Sequence, residues 1–458
     1  MKVLKFGGTS VGKPESLANV INIVESATEP ILVVVSALGG ITDKLILTAR
    51  MAAEGDKSYL DNLANIKERH FDMVEKMVLP ENKKAALEKV TDLLTQLSDI
   101  YKGLSLVNEL SRHSLDVVVS FGERLSSVII SASIKNARYL DSLSIMRTEK
   151  WYSKDIADTQ LTNKLLIEET GVIETGKPII MGGFIARDSS TNAITNLGRG
   201  GSDYTAAIAA AALNANVLEI WTDVDGFMTA DPRIIPDAKV LDTMTFVESM
   251  ELCSFGAKVV YPPTIYPVFH KNIPIKILNT FNPTAPGTLI SDNKVCQEER
   301  AVVKGISSIK ETAIISVSGP EIANIAEYNT RIFNSLAKHG IKVLIVSQKE
   351  PSDSISFAVN KNECEEAKEV INNEFAPELL SGDISCIDLQ TETSVIAIVG
   401  ENINKINNVI NRFFYVLGEN LIEILAYAIG VTKTTITCAV NSRQLEDALR
   451  ALHKEFIR

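Results

Sequence analysis

MKVLKFGGTSVGKPESLANVINIVESATEPILVVVS, residues Met1 to Ser36, decides the fold. Met1 to Phe6 is a short apolar strand. Pro30 to Ser36 is a continuous β-branched run, the pattern of a parallel strand covered on both faces. Between them Leu17, Val20, Ile21 and Val24 recur at helical spacing. Strand, helix, strand is a right-handed βαβ unit, and it sets an α/β class from the first residues.

Working outward, the pattern is helical from Asp43 to about Leu110. Ile66, His70, Met73, Val74 and Met77 fall on one face there. Strands are expected at Asp116 to Ser120, Ile179 to Met181, Leu218 to Trp221 and Ile275 to Leu278, with helices between most of them. Residues 1–292 therefore read as one α/β domain, its mostly parallel central sheet sandwiched by helices. The polar stretch DNKVCQEERAV, after the turn-rich NPTAPGT, places a boundary between Ser291 and Val303.

The remainder repeats itself. An offset of 81 pairs Gly319 with Gly400, Ile322 with Ile403, Ile325 with Ile406, Arg331 with Arg412 and Phe333 with Phe414. The same register pairs Val359-Asn360 with Val440-Asn441, without a gap. Each copy reads strand, glycine turn, amphipathic helix, strand, turn, strand, helix, which is a βαββαβ ferredoxin-like plan. The copies are placed at 304–384 and 385–458.

Composition narrows the function. A net charge of −11 opposes a phosphate backbone, so nucleic acid is not the expected partner, and an anionic substrate needs a local basic site. There is no run of 18 or more apolar residues to span a membrane. MKVLKFGGTS lacks the apolar core of a signal peptide, and the cytoplasm is the expected compartment. The five cysteines are scattered, with no CxxC pair, and read as reduced thiols. The dispersed cysteines and five histidines give no zinc pattern, and no protein metal ligand is assigned.

Five glycine-rich or charged strings, and one that carries a single lysine, could hold chemistry. KFGGTSVG puts Lys5 at a strand end before a glycine turn, where Gly7, Gly8 and Ser10 can approach phosphate; an ordinary strand-to-helix turn reads the same way. GGTSVGKP matches GxxxxGK, but Pro14 stands where a phosphate-binding P-loop needs Ser or Thr, which excludes that motif. SALGGIT, with Thr42, follows the second strand at the ligand-facing edge, or is a plain turn. In SFGERLSS, Glu123 is expected at a helix start, as a cap or as an acceptor for a substrate ammonium. TNLGRGGSDYTAA sets Arg199 among glycines before a helix opened by Ser202 and Asp203. A capped helix start explains Ser202 or Asp203 but not Arg199, whose fork suits a carboxylate. WTDVDGFMTADPR offers Asp223 for ribose or adenine and Arg233 for phosphate. Lys258 in FGAKVVYPPT is a cation in an apolar stretch, or a surface lysine.

Taken in order, KFGGTS, GERLSS, LGRGGSD, WTDVDGFMTADPR and FGAKVVYP resemble the aspartokinases of the amino-acid kinase superfamily, and the tandem repeat resembles their ACT modules. The likeness is greatest to the kinase half of the bifunctional aspartokinase–homoserine dehydrogenases. No GxGxxG segment follows before Arg458, which reads as a monofunctional enzyme or a fragment. The resemblance implies ATP with Mg2+ as cofactor and L-aspartate as acceptor, in the first step towards lysine, threonine and methionine. It also implies a homodimer or larger homo-oligomer, and feedback by an amino acid at the ACT modules, threonine before lysine.

By the same resemblance, Lys5 stabilises the transferring phosphoryl group and Asp203 orients Lys5. Thr42, Glu123, Arg199, Gly200, Gly201 and Ser202 hold aspartate. Gly7, Gly8, Ser10, Thr222, Asp223, Arg233 and Lys258 hold the nucleotide. Met228 departs from the pattern, since many members carry an aromatic residue there. SQKEPSDSI, from Ser347, resembles the polar effector loop of threonine-sensitive enzymes, whereas its counterpart YAIGVTKTTI does not. Glutamate 5-kinase and acetylglutamate kinase, in the same fold, also phosphorylate a side-chain carboxylate, and a catalytically dead sensor is the alternative outside catalysis.

Overall fold

The computed structural model describes residues 1–151, 154–257, 259–292, 302–319, 325–348, 354–401, 403, 408–430 and 434–457. The chain forms two compact units that the backbone enters and leaves more than once. The first contains Met1–Phe227, Asp242–Phe246 and Val259–Asn293; the second contains Met228–Leu241, Val247–Lys258 and Lys294–Arg458. The boundaries read from sequence are contiguous, and these units are not: short apolar segments such as the one around Ile234 and Ile235 are buried in the second unit's core.

In the first unit an eight-stranded sheet runs Thr243–Met244, Thr288–Ile290, Ile275–Asn279, Val217–Thr222, Lys2–Phe6, Ile31–Val35, Ile179–Gly182, Arg138–Leu140. Every pairing is parallel except that between Ile275–Asn279 and Thr288–Ile290. Lys2–Phe6 and Ile31–Val35 are buried along nearly their whole length, as their unbroken apolar runs require. The Pro14–Glu25 helix sits between them in sequence and buries Leu17, Val20 and Val24. Phe6 pairs with Val35 on one side and Trp221 on the other, so the strands' carboxyl ends align at one edge. The loops after Phe6, Val35, Gly182 and Thr222 therefore meet there, which is where open α/β sheets bind ligands.

Helices Ile41–Ala53, Tyr59–Met77 and Lys83–Val107 fill the region expected to be helical, with Ile66, His70, Met73 and Val74 buried on one face. The expected strand at Asp116 to Ser120 is not a strand. It lies within a 22-residue helix, Arg112–Ser133, capped by the Ser111 hydroxyl accepting from the Ser114 N–H. The β-branched run DVVVSF misleads because this helix is buried on nearly all sides beyond Val118, so its apolar residues carry no helical period. Glu123 accordingly sits mid-helix rather than at a helix start.

In the second unit six antiparallel strands run Ile345–Gln348, Ser354–Asn360, Gly305–Ser318, Cys386–Val399, Thr435–Asn441, Ile424–Ile429. The order is a palindrome of the two repeats. At its centre Thr312 and Thr393, 81 residues apart, pair with each other, hydroxyl to hydroxyl at 2.9 Å. Each central strand is long enough to serve both copies. Gly305–Ile309 pairs with Val395–Val399, and Val303 and Ile306 join the core around Phe413 and Leu449. In return Ile387, from the second copy, joins the core around Ile332 and Ile371. Each ferredoxin-like module thus takes its last strand from the other copy, and neither core closes alone.

The repeats also keep a matching clamp. Arg331 pairs with Glu374 and lies 4.4 Å over the Phe375 ring; Arg412 pairs with Glu455 and lies 5.8 Å over Phe456. The boundary expected between Ser291 and Val303 falls largely outside the described residues, as does most of SQKEPSDSI. Among the described residues no helix is long and apolar enough to cross a membrane.

Candidate active site

Two loops cross at the sheet's carboxyl edge. Gly39 donates its N–H to the Gly8 carbonyl at 2.9 Å, and a Cβ on Gly39 would stand 2.9 Å from that oxygen. Only glycine lets these two backbones touch, which is why KFGGTS and SALGGIT each need one at this point. Lys5, the penultimate residue of its strand, is buried beneath the crossing.

Asp203 reaches Lys5 from the other side. The helix that carries it, Gly201–Ala212, is half alanine and buried along most of its length. Small side chains let that helix lie close on the Lys2–Phe6 and Ile31–Val35 strands. Asp203, in its first turn, stands 2.5 Å from the Lys5 ammonium, and both side chains are mostly buried. The pairing fixes where the lysine points.

Glu123 enters from the Arg112–Ser133 helix, and it is 4% exposed. Its Oε1 accepts the Ala37 N–H at 3.2 Å, while Oε2 is buried and has no partner among the described residues. Burial pushes its carboxyl up to about 8, and the Ala37 hydrogen bond offsets only part of this. A buried acceptor without a donor is costly unless a ligand supplies one. An ammonium group placed there would supply both the donor and the charge that keeps a carboxylate ionised.

Arg199 is exposed between Gly198 and Gly200, whose φ values are +71° and +69°. Gly200 begins the alanine helix, and a Cβ there would stand 2.3 Å from the Tyr261 Cβ, so no other residue fits. Lys5, Gly8, Thr42, Glu123, Arg199, Gly200, Gly201, Ser202 and Asp203 line a single cleft of about 390 Å³. The cleft places a paired lysine, an unpartnered acid and an exposed guanidinium fork around one small volume. That arrangement can hold an amino-acid zwitterion beside a phosphate.

The sequence model of the amino acid kinase family matches residues 1–279. The chain belongs to the amino acid kinase family. The model of the ACT domain matches residues 315–375 and 396–456, one segment in each repeat. Aspartokinase 2, chloroplastic, of Arabidopsis thaliana is 30% identical over 468 residues, covering 99% of this chain and 84% of that protein. The bifunctional aspartokinase/homoserine dehydrogenase of Haemophilus influenzae is 32% identical over 464 residues. There the match covers 99% of this chain and 56% of the relative, so this chain spans about half the length of such bifunctional proteins. Among solved structures, E. coli aspartokinase III in complex with aspartate and ADP superposes with a TM-score of 0.83 at 26% identity, over the full length of both chains. The same enzyme in complex with lysine and aspartate gives 0.77, also over both full chains.

Within this amino acid kinase, the residues read as nucleotide contacts are less gathered than the aspartate set. Gly7 lies beside Lys5 and donates its N–H to the Trp221 carbonyl. Ser10 is fully buried, its hydroxyl 2.7 Å from that of Thr280, and it is not among the cleft's lining residues. Thr222 and the exposed Asp223 end the Val217–Thr222 strand at the same sheet edge, with the Thr222 hydroxyl donating to Asp223 at 3.2 Å. Arg233 belongs to the second unit and forks onto Asp231 at 2.8 and 2.9 Å. Met228, in that unit too, forms a β-bridge with Val240. Lys258 lies outside the described residues.

Sequence reasoning missed Phe184. It lines the cleft with φ +67°, at the centre of a γ-turn closed by the Ile185 N–H on the Gly183 carbonyl at 2.7 Å. The Thr205 hydroxyl accepts the Phe184 N–H at 3.0 Å and holds the turn in place. A positive φ at an aromatic residue is strained, and such strain collects at ligand sites. The signal available in the sequence was the Gly182-Gly183 pair after a strand.

Proposed function

We propose that this chain is an aspartate kinase, transferring the γ-phosphoryl group of ATP to the side-chain carboxylate of L-aspartate to give 4-phospho-L-aspartate. The observation that carries the reading is the unpartnered Glu123 Oε2 in the same cleft as Arg199 and the Lys5–Asp203 pair. Arg199 clamps the α-carboxylate and Glu123 accepts the ammonium, with Thr42, Gly200, Gly201 and Ser202 completing the pocket. The side-chain carboxylate is then the end directed at Lys5. It needs no general base, being ionised already at neutral pH. One of its oxygens forms a bond to the γ-phosphorus while the bond from phosphorus to the β–γ bridging oxygen breaks, and ADP leaves. Lys5, aimed by Asp203, stabilises the charge gathering on the transferred oxygens. ATP enters as substrate with its magnesium, held by the glycine loop of Gly7 and Gly8 and by Thr222 and Asp223 at the same sheet edge.

The aspartate and ADP in one E. coli aspartokinase III complex, and the lysine and aspartate in another, support this substrate pair and an amino-acid effector. The tandem modules are the effector's seat, threonine being the first candidate and lysine the second. The reaction then opens the route to lysine, threonine and methionine, in a cytoplasmic homo-oligomer. An ATP-dependent aspartyl hydroxamate assay, run with aspartate, glutamate and acetylglutamate and with threonine or lysine added, tests the proposal. Turnover with aspartate alone, inhibited by one of the two amino acids, is expected. Preference for either glutamate substrate would overturn the acceptor, and calorimetric titration without binding of threonine or lysine would overturn the effector.

A further inference from the structure

An amino-acid zwitterion presents its ammonium and α-carboxylate on one carbon, so a site that reads both must hold its two receptors at a fixed span. Here the receptors come from different elements. Glu123 is mid-helix and rigid. Arg199 is exposed on a loop between two left-handed glycines, a backbone that has no stiffness of its own. Something must tie that loop to the helix.

Asn196 does so with both ends of one side-chain amide. It is the last residue of the Ile194–Asn196 strand, its backbone paired with Ile185. Its Oδ1 accepts the Gly198 N–H at 2.9 Å, which sets the turn leading into Arg199. Its Nδ2 donates to Asp116 Oδ1 at 2.5 Å. Asp116 lies on the Arg112–Ser133 helix seven residues before Glu123, two turns back on the same face. One helix thus carries the ammonium acceptor directly and the guanidinium loop through an intermediary. Further along the loop the Gly201 N–H bonds the Gly198 carbonyl at 3.0 Å, closing the turn around Arg199.

We propose that Asn196, bridging Asp116 and the Gly198–Gly200 turn, is a positioning residue that sets the distance between Glu123 and Arg199 and so tunes affinity for the amino-acid substrate. The inference rests on the aspartate kinase reading. It assigns Asn196 no contact with substrate; Asn196 acts through Arg199.

The test is steady-state kinetics at pH 8 on wild type, Asn196→Leu and the exchanged pair Asp116→Asn with Asn196→Asp, with thermal melting of each. Leucine is close in volume and removes both hydrogen bonds. In the exchanged pair the amide, now on the helix, would donate to the carboxylate, now on the strand, and that carboxylate still accepts the Gly198 N–H. Asn196→Leu is expected to raise KM for aspartate about tenfold or more, the scale of a lost hydrogen bond to a charged group. KM for ATP and Tm should stay near wild type, and the exchanged pair should recover aspartate KM to within about threefold, being the same bond reversed. An unchanged aspartate KM in Asn196→Leu would overturn the inference. So would a joint rise of both KM values with a lowered Tm, which marks plain destabilisation, or an exchanged pair as impaired as the leucine variant. A wild type that does not phosphorylate aspartate would instead overturn the underlying reading, and this inference with it.

Discussion

Glu123 should make capture of aspartate steeply pH-dependent. Its carboxyl, pushed up to about 8 by burial, is compared with an ordinary 4.5. At that value roughly a tenth of empty sites carry the anion at pH 7 and about nine-tenths at pH 9. The ammonium requires the anion, so kcat/KM for aspartate, which reports free enzyme, should rise roughly tenfold across that interval. At saturating aspartate kcat should stay flat, because the bound ammonium holds the carboxylate ionised. Stability has a matching signature. Between about 4.5 and 8 the folded protein binds the proton that the unfolded chain has released, so stability falls as pH rises through that window. The full loss is on the order of 5 kcal/mol by pH 9, counting about 1.4 kcal/mol per pH unit. Glu123→Gln cannot ionise, and it should melt above wild type at pH 8 and near it at pH 5. The assay is coupled ADP release at excess ATP from pH 6 to 9, beside melts over the same range. A wild-type kcat/KM that does not change between pH 7 and 9, with a Gln variant that takes aspartate equally well, would refute the reasoning.

Other outcomes follow from the same geometry. Lys5→Ala should lower kcat about a hundredfold or more, the scale for losing one preorganised charge contact; a turnover within a few-fold of wild type would remove Lys5 from the reacting phosphoryl group. Gly200→Ala and Gly40→Ala both force a left-handed alanine, at about 1–2 kcal/mol. Gly200 also faces a wall, with Tyr261 at 2.3 Å from its Cβ position, whereas among the described residues nothing lies within 4 Å at Gly40. Thermal melts should therefore rank Gly200→Ala clearly below Gly40→Ala, and equal losses would show that Tyr261 yields. In the sensor unit Arg331 meets Glu374 and Glu378 and is 28% exposed, whereas Arg412 meets only Glu455 among the described residues and is 49% exposed. Arg331→Ala should cost about 1–2 kcal/mol and Arg412→Ala less than about 1 kcal/mol in urea denaturation; the reverse order would contradict the assigned pairs.

How far the site was legible follows from the kind of signal each residue leaves. Lys5, Arg199 and Asp203 stand in glycine-bounded strings at element ends, and backbone geometry confines such strings to few uses. Thr42 and Ser202 lie one step into helices that open the same cleft. Ser10 sits in an equally suggestive string, yet its hydroxyl is spent on Thr280, 270 residues away. Nothing local in KFGGTS foretells that partner. Phe184 and Asn196 escaped for a related reason: one is marked by a φ value and the other by a bond to a residue 80 positions earlier.

By itself the sequence determined the parallel α/β unit, through buried β-branched strands that only a doubly covered sheet accommodates. It also determined the duplicated sensor, through a repeat whose register places Thr312 opposite Thr393 and Arg331 in the role of Arg412. Tertiary structure alone decided that DVVVSF is helix, since burial on every side erases the period that distinguishes helix from strand. It decided that each sensor core borrows a strand from its twin, because long central strands can pair at both ends. It also decided the character of Glu123, because proton affinity depends on how much water a carboxylate keeps, and that is fixed only once distant parts of the chain close around it.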